Sequence, residues 1–171
     1  MSSKAALLLS GGGARGAYQI GVLQGLAKLV PQYNALPFPI LCGTSAGALN
    51  AALLATRASN FKRGVRQLAY IWRNLTTEQV YQVSRWPIAT SITRSIANIF
   101  LNQRNGRQLS LMVNTPLESL LRKHLNLEDV SIALNQRLLE TLAITAINYT
   151  NGNSTTFFQS SNTDIENWQS A

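Results

Sequence analysis

A serine flanked by glycines, between an apolar segment and an alanine-rich segment, constrains this chain more than any other feature. The stretch from Ile40 to Asn50 reads Ile-Leu-Cys-Gly-Thr-Ser-Ala-Gly-Ala-Leu-Asn. It predicts a short buried strand, a tight turn at Ser45 and then a helix, which is the order found in a nucleophile elbow. Gly43 and Gly47 stand two residues before and after the serine, where side chains would collide with neighbouring backbone. An ordinary glycine-serine turn shares this pattern, so the stretch alone leaves both interpretations open.

A second apolar segment followed by glycines lies near the start of the chain. After the leucines at positions 7–9 and Ser10, residues 11–16 read Gly-Gly-Gly-Ala-Arg-Gly. Three consecutive glycines let the backbone turn its N–H groups into a concave surface that binds anions, and Arg15 adds a positive charge. The helix predicted after Ser45 also directs free N–H groups towards the serine. The two motifs together predict a nucleophile and oxyanion donors, the parts that acyl transfer needs.

These two motifs, about thirty residues apart, resemble those of the patatin-like phospholipase family. Residues 21–23 and 47–51 fit the family as well, and the likeness is strong over residues 5–57 and weaker from there to about 160. The resemblance implies a three-layer α/β/α fold with a mostly parallel sheet, in a single domain of which residues 1–171 are the N-terminal portion. It also implies hydrolysis of phospholipid or other lipid esters by a Ser–Asp dyad, without a cofactor or metal. Ser45 is then the nucleophile, Gly43 and Gly47 belong to its elbow, and the oxyanion loop comprises Gly11, Gly12, Gly13, Arg15 and Gly16.

Hydrophobic spacing and turn residues predict the order of helices and strands. A fully buried strand at 5–9, a helix at 17–30 and a strand at 40–42 form a parallel βαβ unit, which brings both glycine motifs to the same carboxyl edge of the sheet. Helices follow at 46–56 and, capped by Asn60, at 61–75. A helix from Thr115 to about His124, a linking turn at 127–131, a strand at 140–150 and a hairpin through Asn151-Gly152 to residues 154–159 complete the prediction.

The segment at 76–110 combines an isoleucine stripe of helical spacing with several arginines. Either a helix packed on the core or a mobile amphipathic cap that contacts lipid would produce this pattern.

The base that would activate Ser45 is not evident. His124 is the only histidine, and its place at the predicted end of a helix favours a capping or solvent-exposed role. The family resemblance implies an aspartate in an Asp-Gly turn, but Asp129 precedes valine and Asp164 precedes isoleucine. We therefore expect the catalytic aspartate to lie in a C-terminal part of the domain outside this chain, which alone should be nearly inactive. The alternative is a non-catalytic homologue that binds lipid or a partner and lacks the base.

The excess of basic residues limits the classes of partner that this chain is expected to bind. Lys and Arg number 15 against 7 Asp and Glu, and no acidic residue precedes Glu78. This charge favours an anionic partner, either a phospholipid surface or nucleic acid, and a basic, solvated surface is an equally good interpretation. Of the two partners we expect an anionic membrane and no nucleic acid. The chain has no apolar run of eighteen residues and no evident signal peptide. Since its one cysteine, Cys42, permits no internal disulfide, a cytoplasmic protein with peripheral membrane contact is expected. The oligomeric state is left open.

One further class competes for the first glycine motif. Residues 11–16 match the Gly-x-Gly-x-x-Gly fingerprint of dinucleotide-binding folds. That fingerprint requires an acidic residue about twenty positions later for the ribose, and none is present before Glu78. It also leaves Ser45 unexplained, so we do not expect a dinucleotide cofactor.

Overall fold

The computed structural model describes residues 4–30, 34–76, 115–148 and 151–161. A four-stranded sheet forms its centre, with strands β1 (Ala6–Leu9), β2 (Ile40–Thr44), β3 (Thr141–Ile147) and β4 (Ser154–Ser160) in that spatial order. The first three strands run parallel, and β4 pairs antiparallel with β3. This mostly parallel sheet with helices packed against it confirms the predicted α/β class.

The described residues contain five helices: α1 (Gly16–Leu29), α2 (Ala46–Ala55), α3 (Phe61–Asn74), α4 (Thr115–His124) and α5 (Leu127–Asn135). Helix α2 packs against all three parallel strands, while α1 and α3 pack on each other and on α2. Burial therefore concentrates where α2 is enclosed, and the largest fully buried side chains include Leu23, Leu41, Leu54, Phe61 and Leu68. Asn60 caps α3 as predicted, since its side-chain oxygen accepts a 2.9 Å hydrogen bond from the Arg63 amide.

The described residues fall into two compact units. One contains the sheet with α1, α2, α3 and α5, and the other contains α4 up to residue 123. The segment at 76–110, for which a core helix and an amphipathic cap were both open, lies outside the described residues apart from position 76. That residues 1–171 form the N-terminal portion of a single domain stays a prediction. No helix in the described ranges has both the length and the apolar character needed to cross a bilayer.

The hairpin was predicted correctly from Asn151-Gly152. Gly152 has a φ of +73°, a conformation that glycine adopts without strain. The Asn153 amide donates a 3.0 Å hydrogen bond to the Asn151 side chain, and the strands pair from Ile147 opposite Ser154.

Two local predictions were wrong. Residues 127–131, expected as a linking turn, begin helix α5, because the Asn126 side chain caps its start by accepting a hydrogen bond from the Glu128 amide at 3.2 Å. Strand β1, expected to be fully buried, lies at the edge of the sheet formed by the described residues, and Leu8 is 74% exposed while Leu9 is only 6% exposed. Successive side chains of a strand point to opposite faces, so Leu8 lies on an exposed face and Leu9 on the buried one.

Candidate active site

Ser45 occupies the turn between β2 and α2 in a conformation that side chains rarely adopt. The backbone of Ser45 has a φ of 54° and a ψ of −123°, and the residue is exposed to solvent. Among the described residues only Arg137 shares a positive φ without being glycine. A backbone conformation of this kind persists only where the surroundings impose it, and such residues cluster at functional sites. The turn therefore has the geometry of a nucleophile elbow, with the hydroxyl presented at the edge of the sheet.

The two flanking glycines explain why the turn can form. A Cβ atom at Gly43 would lie 2.5 Å from the carbonyl oxygen of Gly47 and 2.6 Å from the Cα of Ala48. A Cβ atom at Gly47 would overlap the Leu9 carbonyl group and lie 2.7 Å from the Ser10 carbonyl oxygen. The predicted collisions with backbone are thus confirmed. Without side chains at these positions, the first turn of α2 packs directly on β2 and on the end of β1.

This close packing brings the glycine loop to the serine. A Cβ atom at Gly11 would lie 3.2 Å from the Ser45 Cβ, 3.4 Å from the Thr44 carbonyl oxygen and 3.9 Å from the Ser45 Oγ. The register explains the meeting, because Leu9 of β1 pairs with Gly43 of β2, and each motif follows the end of its strand. The structure therefore places the two glycine motifs together, as the sheet topology predicted.

The remainder of the loop forms a short 3₁₀ turn over Gly13–Arg15 before α1 begins. Gly13 has a φ of +55°, and the Arg15 amide donates a 3.1 Å hydrogen bond to the Gly12 carbonyl oxygen. The Arg15 side chain is exposed, and no carboxylate among the described residues pairs with it. The loop thus combines exposed glycine backbone with a positive charge that is available to an anion.

Two side chains that sequence reasoning did not assign to the site anchor this loop. Asn50 of α2 is fully buried, and its amide nitrogen donates to the Gly16 carbonyl oxygen at 3.2 Å. The indole nitrogen of Trp72 in α3 donates to the Asn50 side-chain oxygen at 2.7 Å. The Trp72 ring packs so closely on Gly16 that a Cβ atom there would lie 2.7 Å from a ring carbon. A lone amide within an alanine-rich, buried helix is a signal that could have identified Asn50, because buried polar groups need partners.

Asp129 is not positioned to serve Ser45. Its carboxylate accepts a 2.9 Å hydrogen bond from Arg57, which follows the opposite end of α2. Since a helix rises about 1.5 Å per residue, that end lies roughly 15 Å from the elbow. His124 ends α4 as expected, and Asp164 lies outside the described residues. Within the described ranges, no three His, Cys, Asp or Glu side chains come close enough to hold a metal ion.

Comparison with known proteins agrees with this geometry. The family model for patatin-like phospholipase matches residues 7–171. The chain is 35% identical over 106 residues to patatin-like phospholipase domain-containing protein 7 of Rattus norvegicus, and 34% identical over 106 residues to the protein of that name from Mus musculus. Each alignment covers 58% of this chain but only 7% of the relative. No solved structure gives a significant match. The family match over almost the whole chain, together with the meeting of its two glycine motifs, places this protein in the patatin-like phospholipase family.

Proposed function

We propose that this chain carries the nucleophile and oxyanion loop of a serine-dependent lipid acyl hydrolase, of phospholipase A or esterase type. The observation that carries the proposal is the close approach of Gly11 to Ser45, which sets a strained, exposed serine beside a loop of glycine backbone. The relatives are named as phospholipase domain proteins, and a lipid ester is the substrate class that follows from that name.

In the proposed reaction, the Ser45 Oγ forms a bond to the ester carbonyl carbon while its proton passes to a carboxylate base. Backbone N–H groups of residues 11–13 hold the negative charge that develops on the carbonyl oxygen. The Gly16 N–H already donates to the Gly13 carbonyl oxygen, so we assign it no part in this. Arg15 attracts the phosphate of a phospholipid substrate. The alcohol leaves with the proton, and water then releases the fatty acid by the same steps. The base is an aspartate, as the family implies, and we do not assign that role to Asp129 because Arg57 holds it.

The same geometry supports contact with an anionic membrane surface. Helix α1 begins at the loop and exposes three apolar side chains of helical spacing, with Tyr18 78%, Val22 47% and Leu29 77% exposed. Lys28 on this helix and Arg15 just before it are exposed cations, and no acidic residue precedes Glu78. Apolar side chains beside cations suit the interface of a bilayer that contains anionic lipids. We propose that this face of α1 docks on anionic lipid, and that a membrane rather than a nucleic acid is the anionic partner of this basic chain.

Covalent labelling tests the nucleophile. The full-length protein should react with a fluorophosphonate probe and hydrolyse a short-chain ester, and Ser45→Ala should abolish both. Trypsin releases residues 29–57 as one peptide in which Ser45 is the only serine, so mass spectrometry locates the label without ambiguity. Ser131→Ala, a change of an exposed helical serine, is the matched control and should label normally. Labelling or turnover that survives Ser45→Ala, or a wild-type protein that shows neither, would refute the proposal.

A further inference from the structure

Asn50 is an amide in the middle of a helix whose other buried residues are apolar or glycine. It follows Ser45 by five positions on α2 and is 0% exposed. Burying an amide without hydrogen bonds costs about 1–3 kcal/mol by protein mutational measures. The hydrogen-bond partners of Asn50 therefore indicate what this side chain does. Those partners all belong to, or bind to, the glycine loop.

The bonds of Asn50 reach both ends of that loop. Its Nδ2 donates to the Gly16 carbonyl oxygen at 3.2 Å and to the Gln19 side-chain oxygen at 2.9 Å. The Gln19 amide nitrogen in turn donates to the Ser10 carbonyl oxygen at 2.8 Å. Ser10 immediately precedes the loop, and Gly16 is its last residue. A single side chain of the nucleophile helix therefore fixes the loop directly at its end and, through Gln19, at its start.

Trp72 completes the arrangement from a third helix. Its indole nitrogen donates to the Asn50 side-chain oxygen at 2.7 Å, which leaves the Asn50 amide nitrogen to face the loop. The indole ring packs against Gly16, where even a methyl group would not fit. Each amide in the chain from Trp72 to Ser10 both accepts and donates, so reversing either amide would break the chain of bonds.

We propose that Asn50, with Gln19 and Trp72, is a positioning device that holds the glycine loop at a fixed separation from Ser45. This inference rests on the proposed function, since a fixed separation matters only if the loop amides serve chemistry at the serine. Positioning errors of about 1 Å at an active site cost on the order of 10² in rate, so loosening the loop should lower kcat more than it raises KM.

Gln19→Glu is the sharpest test. The carboxylate still accepts the hydrogen bond from Asn50, but it cannot donate to the Ser10 carbonyl oxygen, so only the start of the loop is released. We expect kcat to fall at least roughly tenfold, with KM changed less than about twofold. Amide hydrogen exchange of residues 11–16, measured by mass spectrometry, should become at least about tenfold faster. Gln24→Glu makes the same charge change on α1, where no hydrogen bond to the loop is found, and should alter neither quantity.

Trp72→Phe provides a second variant that keeps an aromatic ring over Gly16 and removes the bond to Asn50. It should also accelerate exchange in the loop and lower kcat. Unchanged loop exchange in both variants would overturn the inference. Faster exchange with wild-type kcat would overturn it as well, because Asn50 would then stabilise the fold without positioning the site. If the wild-type protein hydrolyses no ester, the proposed function fails on that result, whereas the exchange measurement still decides whether the three side chains hold the loop.

Discussion

Replacing Ser45 by glycine and by alanine separates the strain of the elbow from its chemistry. Both changes remove the hydroxyl and should abolish labelling by a fluorophosphonate. They differ in the backbone, because alanine keeps the Cβ atom that is disfavoured at a φ of 54° and a ψ of −123°, and glycine removes it. The Ser45 side chain makes no capping hydrogen bond to α2, so neither variant loses a cap.

The expected magnitude follows from two opposing terms. A residue held in a sparsely populated region of φ and ψ costs about 1–3 kcal/mol. Against this, glycine lowers the free energy of unfolding by about 0.4–1 kcal/mol relative to alanine, because the unfolded chain is more flexible at glycine. At the midpoints of these two ranges, Ser45→Gly is more stable than Ser45→Ala by about 1.3 kcal/mol, which for a chain of this size corresponds to roughly 3–5 °C in Tm.

Urea and thermal unfolding followed by circular dichroism would measure this difference. Ser131 supplies the matched pair, because it is an exposed serine in the middle of α5 with ordinary helical backbone. At Ser131 the order should reverse, with alanine more stable than glycine by about 1 kcal/mol. An alanine variant at Ser45 that is as stable as the glycine variant would refute the argument that this turn is strained.

Three further changes test other parts of the structure. Gly47→Ala places a methyl group against the backbone of β1 and should lower the free energy of unfolding by more than about 3 kcal/mol. Gly21→Ala, whose methyl group would meet nothing within 4 Å, should raise it by about 0.5–1 kcal/mol. Urea unfolding measures both. Asp129→Asn should lower stability by less than about 1 kcal/mol and leave fluorophosphonate labelling unchanged, because its half-exposed ion pair lies away from the elbow; lost labelling would identify it as the base. Leu29→Glu should weaken co-flotation with vesicles rich in phosphatidylserine, while Leu127→Glu, at a similarly exposed leucine of α5, should not; equal effects would argue against docking through α1.

The sequence predicted the elements near the candidate site because their signals are local. An apolar segment, a glycine turn and a helical pattern lie within about fifteen residues at each motif, and their meeting follows from the adjacency of parallel strands. The Asn50 network could not be predicted in this way, since it joins residues 22 and 31 positions apart through packing of separate helices. The exposure of Leu8 likewise depends on which segments cover each face of the sheet. Helix α5 was missed for a different reason, because its cap at Asn126 was local but not recognised.

The far end of α2 has a consequence for how a substrate must approach. Arg57 binds the Gln67 side chain of α3 at 2.9 Å, the Thr56 carbonyl oxygen at 3.0 Å and Asp129 of α5 at 2.9 Å, while the first turn of α2 abuts β1 through Gly47. Because both of its ends are held, helix α2 cannot shift along its own axis. Under the proposed function, Ser45 would therefore stay in one place, and selection among acyl groups would depend on the surfaces around it.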